Sequence, residues 1–213
     1  MLSEWNKEID ALVKITKQAI PMTLNAQRNI NQAEFKHKTD GSIVSIYDYA
    51  IQVIVMHYIN KLLPDDDVLG EEEMSKVSDD FLNGVIKILP SNIDPIETCS
   101  RSIRQISPNN RRTWVINPID GTEGFVQHDA YAIATCLLVD LCPKVSITAW
   151  PLHNKKYTGI NMEGPLIFIA IKGDKSYVMD LNNNIEILSY IKIPEKVHLT
   201  NNIIGYRQKY TAV

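Results

Sequence analysis

The sequence predicts an α+β domain in which helices pack on a largely antiparallel sheet. Three observations carry that expectation. Apolar residues recur at helical spacing between Leu2 and Leu89. From Thr113 onward the pattern turns to short apolar and β-branched runs. The two patterns follow one another instead of alternating, which argues against βαβ units. The chain has 213 residues, 45% of them hydrophobic, enough for one sizeable domain with a packed core.

The elements follow in order. Leu2, Trp5, Ile9, Leu12, Val13, Thr16 and Ile20 share one face of a first helix, with Ser3 as N-cap and a stop near Pro21. Residues 24–35 extend this helix or form a second piece, and a polar turn covers 36–42. Ile51, Ile54, Val55, Tyr58, Ile59 and Leu62 mark a second amphipathic helix that begins near Asp48 and ends at Pro64. Val68 and Leu69 form a short strand with Gly70 as its exit. Residues 78–89 read as a helix capped by Ser78. The segment 90–112 is polar, carries Pro95 and Pro108, and reads as a surface loop. Strands are expected over 113–116, 130–139, 144–149, 166–172 and Ser176–Asp180. A turn at Asn182, Asn183 and Asn184 then leads to a last strand, Ile185–Leu188.

Composition excludes several classes. A formal net charge of −3, with Lys and Arg dispersed, gives no electrostatic reason to expect nucleic-acid binding. The three cysteines, Cys99, Cys136 and Cys142, are odd in number and lack Cys-x-x-Cys spacing. They point to a reducing compartment, the cytoplasm, and not to a disulfide framework. Cys136 and Cys142 lie in apolar strand context and are expected as core thiols. His37, His57, His128, His153 and His198 show no ligand spacing for zinc. The N-terminus is polar and helix-like, so no secretory signal is expected. The longest apolar stretch, 130–138, is too short to span a bilayer, so no membrane partner is expected. Arg101, Arg104, Arg111 and Arg112 sit in the polar loop, solvated or available to a phosphate.

Three stretches carry chemistry. The first runs from Lys38 through Ser45 to Asp48 and Gln52; alone, it reads as a solvated turn with Asp48 capping a helix. The second is Asp65-Asp66-Asp67-Val68-Leu69-Gly70-Glu71-Glu72-Glu73. A strand-end Gly lets the backbone turn and aim a carboxylate into a cleft, although acidic runs are more often surface loops. The third is Trp114-Val115-Ile116-Asn117-Pro118-Ile119-Asp120-Gly121-Thr122-Glu123-Gly124-Phe125. It reads as a strand entering a tight turn with a helix start behind it. That junction gathers a carboxylate, a hydroxyl and free N–H groups, the parts that hold a metal ion and a phosphate together.

The third run resembles the Asp-Pro-Ile-Asp-Gly-Thr signature of the lithium-sensitive, magnesium-dependent phosphomonoesterases, the inositol monophosphatase superfamily. The other two stretches resemble that family's upstream segments, in family order. Gly124-Phe125, Leu69-Gly70-Glu71-Glu72 and Asp48-Tyr49-Ala50-Ile51-Gln52 look more like the 3′(2′),5′-bisphosphate nucleotidases than the inositol monophosphatases proper.

The resemblance implies a layered sugar-phosphatase fold and hydrolysis of a small phosphate ester, adenosine 3′,5′-bisphosphate to AMP and phosphate, with Mg²⁺ as cofactor. The alternatives it leaves open are an inositol- or sugar-phosphate phosphatase and an inactive remnant that binds phosphate or a partner protein. It implies that Glu71, Asp120 and the main-chain carbonyl of Ile119 hold Mg²⁺. Gly121 and Thr122 N–H groups would receive the phosphate, and Asp48 with the Thr122 hydroxyl would orient the attacking water. It implies a domain over 1–190, with 191–213 beginning a second half that stops short and lacks the family's Trp-Asp-x-Ala segment.

Asn117 departs from the signature, where an Asp bridges two metals. An amide oxygen still binds a hard cation but carries no charge. At ~2.2 Å and an effective dielectric of 20, one charge pair is worth roughly 7 kcal/mol before desolvation. Weak metal binding at fewer sites and little turnover are therefore expected.

Overall fold

The computed structural model of the protein describes residues 4–103, 105–106, 111–153 and 160–188. The expected N-cap Ser3, Arg104, Pro108, His198 and the segment 191–213 lie outside the described residues. The fold is α+β, as expected from the order of the patterns. A seven-stranded sheet has the order β3-β4-β5-β6-β7-β8-β9, and a small hairpin, β1-β2, stands apart. The strands are β1 (Phe35–His37), β2 (Ile43–Ser45), β3 (Asp67–Gly70), β4 (Arg112–Asp120), β5 (Ala132–Val139), β6 (Cys142–Trp150), β7 (Leu166–Ile171), β8 (Ser176–Asp180) and β9 (Ile185–Leu188). The helices are α1 (Asn6–Asn29), α2 (Ile46–Leu62), α3 (Asp79–Ile88), α4 (Pro95–Ser100) and α5 (Thr122–Val126).

α1 runs through Pro21 and does not stop there. A proline inside a helix costs about 3 kcal/mol. Burying one large aliphatic side chain contributes about 1.5–3 kcal/mol, and α1 buries Ile9, Leu12, Ile15 and Ile20 against α2 and the sheet. Tertiary burial therefore outweighs the local break. α2 is buried on nearly all sides, from Ile46 to Ile59. One face joins α1 and the sheet, and the other joins Phe81 and Val85 of α3. α2 starts at Ile46 with Ser45, not Asp48, as its cap. The Ser45 hydroxyl accepts from the N–H groups of Tyr47 at 3.2 Å and Asp48 at 3.3 Å. Asp48, three residues in, closes a capping box by accepting from the Ser45 N–H at 2.7 Å.

Three further expectations are refined or corrected. The expected turn over 36–42 is present, but Lys36 and His37 belong to β1 and the turn is the tip of the β1-β2 hairpin, with Lys38 N–H donating to the Ser42 carbonyl at 2.7 Å. The supposed loop over 90–112 contains α4, capped by the Asp94 carboxylate and opened by Pro95. Cys136 is only half-buried and Cys142 is exposed, so neither is a core thiol. Among the described residues, no helix is long and apolar enough to cross a membrane.

The feature that builds the site is the pairing of β3 with β4. It is parallel, whereas β4 to β9 pair antiparallel throughout. Parallel pairing carries both chains off the sheet at the same end. Gly70 lies opposite Ile116, and the Glu71 N–H donates to the Ile116 carbonyl at 3.2 Å. The residue after β3 is thus set beside Asn117.

Candidate active site

β4 does not end at Ile116, where the sequence pattern places its end. It continues to Asp120, with a bulge between Asn117 and Asp120 where the register against β5 shifts. Pro118 has no N–H to give the ladder, so the irregularity falls where a donor is missing. Gly121 then takes a left-handed conformation, φ 85°, and α5 begins at Thr122. The strand thus runs past the expected end at Ile116, and the tight turn with a helix start behind it falls at Gly121.

Three of the expected residues, Asp48, Ile119 and Thr122, are joined by direct contacts. The Thr122 hydroxyl lies 2.9 Å from Asp48 Oδ1 and 3.0 Å from the Ile119 carbonyl, both acceptors for its single proton. Asp48 is 1% exposed. Its other oxygen accepts from the Ser45 N–H at 2.7 Å and the Ser45 hydroxyl at 2.6 Å. Burial pushes the Asp48 carboxyl up to about 7, against the opposing pull of the Ser45 and Thr122 hydrogen bonds, and the charge of Glu72 adds to the rise.

The Asn117 amide donates to Asp120 Oδ1 at 3.3 Å. Its Oδ1 is buried and has no hydrogen-bond partner. Glu71 joins through the field. Its carboxyl is held above its ordinary value by partial burial, then by Glu72, with Asp120 adding and Lys38 opposing. Lys38 donates to Glu72 Oε1 at 2.6 Å in an ion pair. Burial alone would lower the Lys38 ammonium, but Glu72, then Glu71 and Asp48, outweigh it and hold it above its usual value. Like charges gathered round one small volume, with one lysine among them, are what a divalent cation relieves.

The oxygens available to a cation there are the Glu71 and Asp120 carboxylates, the Ile119 carbonyl, which also accepts from Thr122, and the orphaned amide oxygen of Asn117. All are hard oxygens, and they suit a single hard cation. Among the described residues no group of three or more Asp, Glu, His or Cys side chains is placed to hold a metal ion.

Lys38, Gln52 and Glu72 stand in the sequence motifs, but what they contact is set by tertiary packing. The Gln52 side chain, 1% exposed, binds both main-chain groups of Glu72, each at 2.8 Å. The signal was the four-residue spacing of Asp48 and Gln52 on one helix face. The arginines belong elsewhere. Arg112 lies in β4 and pairs with Asp66 at 2.6 Å and Glu8 at 2.8 Å, while Arg101 donates to the Pro64 carbonyl.

A family model described as the inositol monophosphatase family matches residues 2–203. The chain belongs to the inositol monophosphatase family. Within it, the chain is similar to a probable 3′(2′),5′-bisphosphate nucleotidase 4 of Arabidopsis thaliana, at 26% identity over 92% of this chain and 60% of that protein. It is also similar to 3′(2′),5′-bisphosphate nucleotidase 1 of the same plant, at 28% identity over 84% of this chain and 58% of the relative. The chain thus spans under two thirds of the length of these curated relatives. The family fold recurs in an IMPase/NADP phosphatase complexed with NADP and Ca²⁺ at pH 7.0. That structure has a TM-score of 0.55 and 16% identity, over 84% of this chain and 53% of the other.

Proposed function

We propose that the protein acts as a Mg²⁺-dependent phosphomonoesterase of the 3′(2′),5′-bisphosphate nucleotidase type, converting adenosine 3′,5′-bisphosphate to AMP and phosphate. The observation that carries this reading is the parallel β3-β4 pair, which sets Glu71 beside Asn117 and within the field of Asp120, while Thr122 contacts Asp48. The nucleotidase relatives support the substrate class.

In this reading Glu71, Asp120 and the Ile119 carbonyl hold the cation. A bound Mg²⁺ supplies water activation and neutralises charge on the leaving oxygen. Gly121 and Thr122 N–H groups receive the substrate phosphate. Asp48 accepts from the Thr122 hydroxyl, which fixes that hydroxyl for orienting the attacking water. Asp48 is buried, whereas Glu71 and Asp120 stand at the solvent-facing side of the site.

Asn117 favours a second reading, in which the site binds phosphate but turns over slowly. An amide hydrogen-bonded to Asp120 takes the place of a bridging carboxylate. Phosphate release from adenosine 3′,5′-bisphosphate, with Mg²⁺ and with or without Li⁺, separates the two. Slow turnover that is abolished in Asp120→Ala and raised in Asn117→Asp is the expected result. No turnover in either the parent or Asn117→Asp overturns the enzymatic reading. Preference for an inositol phosphate moves the substrate to the sugar-phosphate class.

A further inference from the structure

The loop that carries Glu71 is anchored by a side chain buried beneath it. Gln52 Nε2 donates to the Glu72 carbonyl at 2.8 Å, and Gln52 Oε1 accepts from the Glu72 N–H at 2.8 Å. One amide thus satisfies both main-chain groups of one residue, as a neighbouring strand would. Gly70 makes the approach possible, since a Cβ there would run into the Gln52 amide carbon and oxygen and the Met56 methyl. Glu71 lies between these anchors. Its own N–H is held by the Ile116 carbonyl of β4.

The same face of α2 reaches the other loop. Asp48, one turn before Gln52, accepts from the Thr122 hydroxyl at 2.9 Å. Two consecutive turns of one buried helix therefore grip the two loops that bear Glu71 and Asp120. Helical residues four apart keep a nearly fixed separation, so α2 acts as a spacer between the loops.

We infer that Gln52 is a positioning residue: by clamping the main chain of Glu72 it sets where Glu71 stands relative to Asp120, and so governs the affinity of that pair for a divalent cation. The inference rests on the reading of Glu71 and Asp120 as cation ligands. Gln52 touches no ligand itself and acts only through the loop. A purely structural glutamine would, when replaced, lower stability without selectively weakening cation binding.

The test is Mn²⁺ binding, followed by the electron paramagnetic resonance of free Mn²⁺, on the purified protein and four variants. Gln52→Met keeps the volume and removes both hydrogen bonds. Gly70→Ala keeps the amide but displaces it, and carries the test if Gln52→Met does not fold. Glu71→Gln probes the ligand, and Gln52→Met/Glu71→Gln closes the cycle. Gln52→Met and Gly70→Ala are each expected to weaken Mn²⁺ binding by about 10–100-fold, the usual range for residues that orient ligands. The double variant is expected to bind no more weakly than Glu71→Gln alone. If Glu71→Gln weakens binding while folded Gln52→Met or Gly70→Ala binds as the parent does, or if the two losses multiply, the positioning role is overturned. If Glu71→Gln leaves Mn²⁺ binding unchanged, the ligand assignment falls and the inference falls with it.

Discussion

Asn117 and Asp120 share a hydrogen bond, and the amide proton thereby gives Asp120 part of what a cation would give it. Replacing Asn117 by Asp removes that proton and sets two carboxylates together. Calorimetric titration of Asn117→Asp is expected to show tighter Mg²⁺ binding than the parent. Its melting temperature should also respond more strongly to Mg²⁺ against chelator, because ligand binding to the folded state alone adds stability. An unchanged affinity would remove Asn117 from the ligand set. Asp48 gives the clearest pH dependence. Its folded value, about 7, lies above the ordinary carboxyl range, so between about 4 and 7 the native state binds more protons there than the unfolded chain. That contribution is fully present at the acid end and is lost as pH rises through 7. In cation-free protein, Asp48→Asn is expected to flatten the fall in thermal stability from pH 5 to pH 8. A difference between the two curves that stays constant with pH would refute this.

Among the elements, the local signals and the burial did not always agree. β8 and β9 were legible to the residue, because alternation and an asparagine-rich turn bracket them. α4 was missed although its signs were present. Asp94 before Pro95 is a capping acid followed by a proline at the first helical position, which favours a helix start. The Pro21 break was overread, since propensity knows nothing of the sheet that α1 covers. The three-residue strands of the β1-β2 hairpin were too short to leave a period. α5 shows a demand that composition could not reveal. A Cβ at Gly124 would lie 2.5 Å from the Ala130 carbonyl oxygen, and the Asp129 N–H already returns to the Gly124 carbonyl at 2.7 Å. Gly124→Ala is therefore expected to lose about 1–3 kcal/mol by overpacking, read as a lower urea midpoint. A midpoint within error of the parent would mean that the 129–131 segment yields freely.

At the scale of the whole molecule, a buried charge cluster ties distant parts together. Arg112 pairs with Asp66 and Glu8, and the Trp114 indole N–H donates to Asp66 at 2.9 Å. The start of β4, the approach to β3 and the first turn of α1 thus meet at one guanidinium. Removing one partner leaves buried carboxylates unpaired. Arg112→Met is expected to destabilise the protein by about 3–5 kcal/mol, measured by denaturant unfolding, and a loss below 1 kcal/mol would show that water reaches the acids instead. The candidate site's motifs could be read in the chain, but not what joins them. Gly70 and Ile116 are separated by α3, α4 and their connections, and a parallel pair over that span leaves no local pattern. Gln52 and Glu72 meet for the same reason, through tertiary packing alone. The β3-β4 pair also has a consequence in time. The meander from β4 to β9 closes through neighbouring hairpins, whereas β3 must find β4 across a long loop whose closure entropy is met before any contact rewards it. Folding should therefore order the meander first and bring Glu71 to Asp120 last. A bound cation would then slow unfolding while leaving the refolding rate nearly untouched.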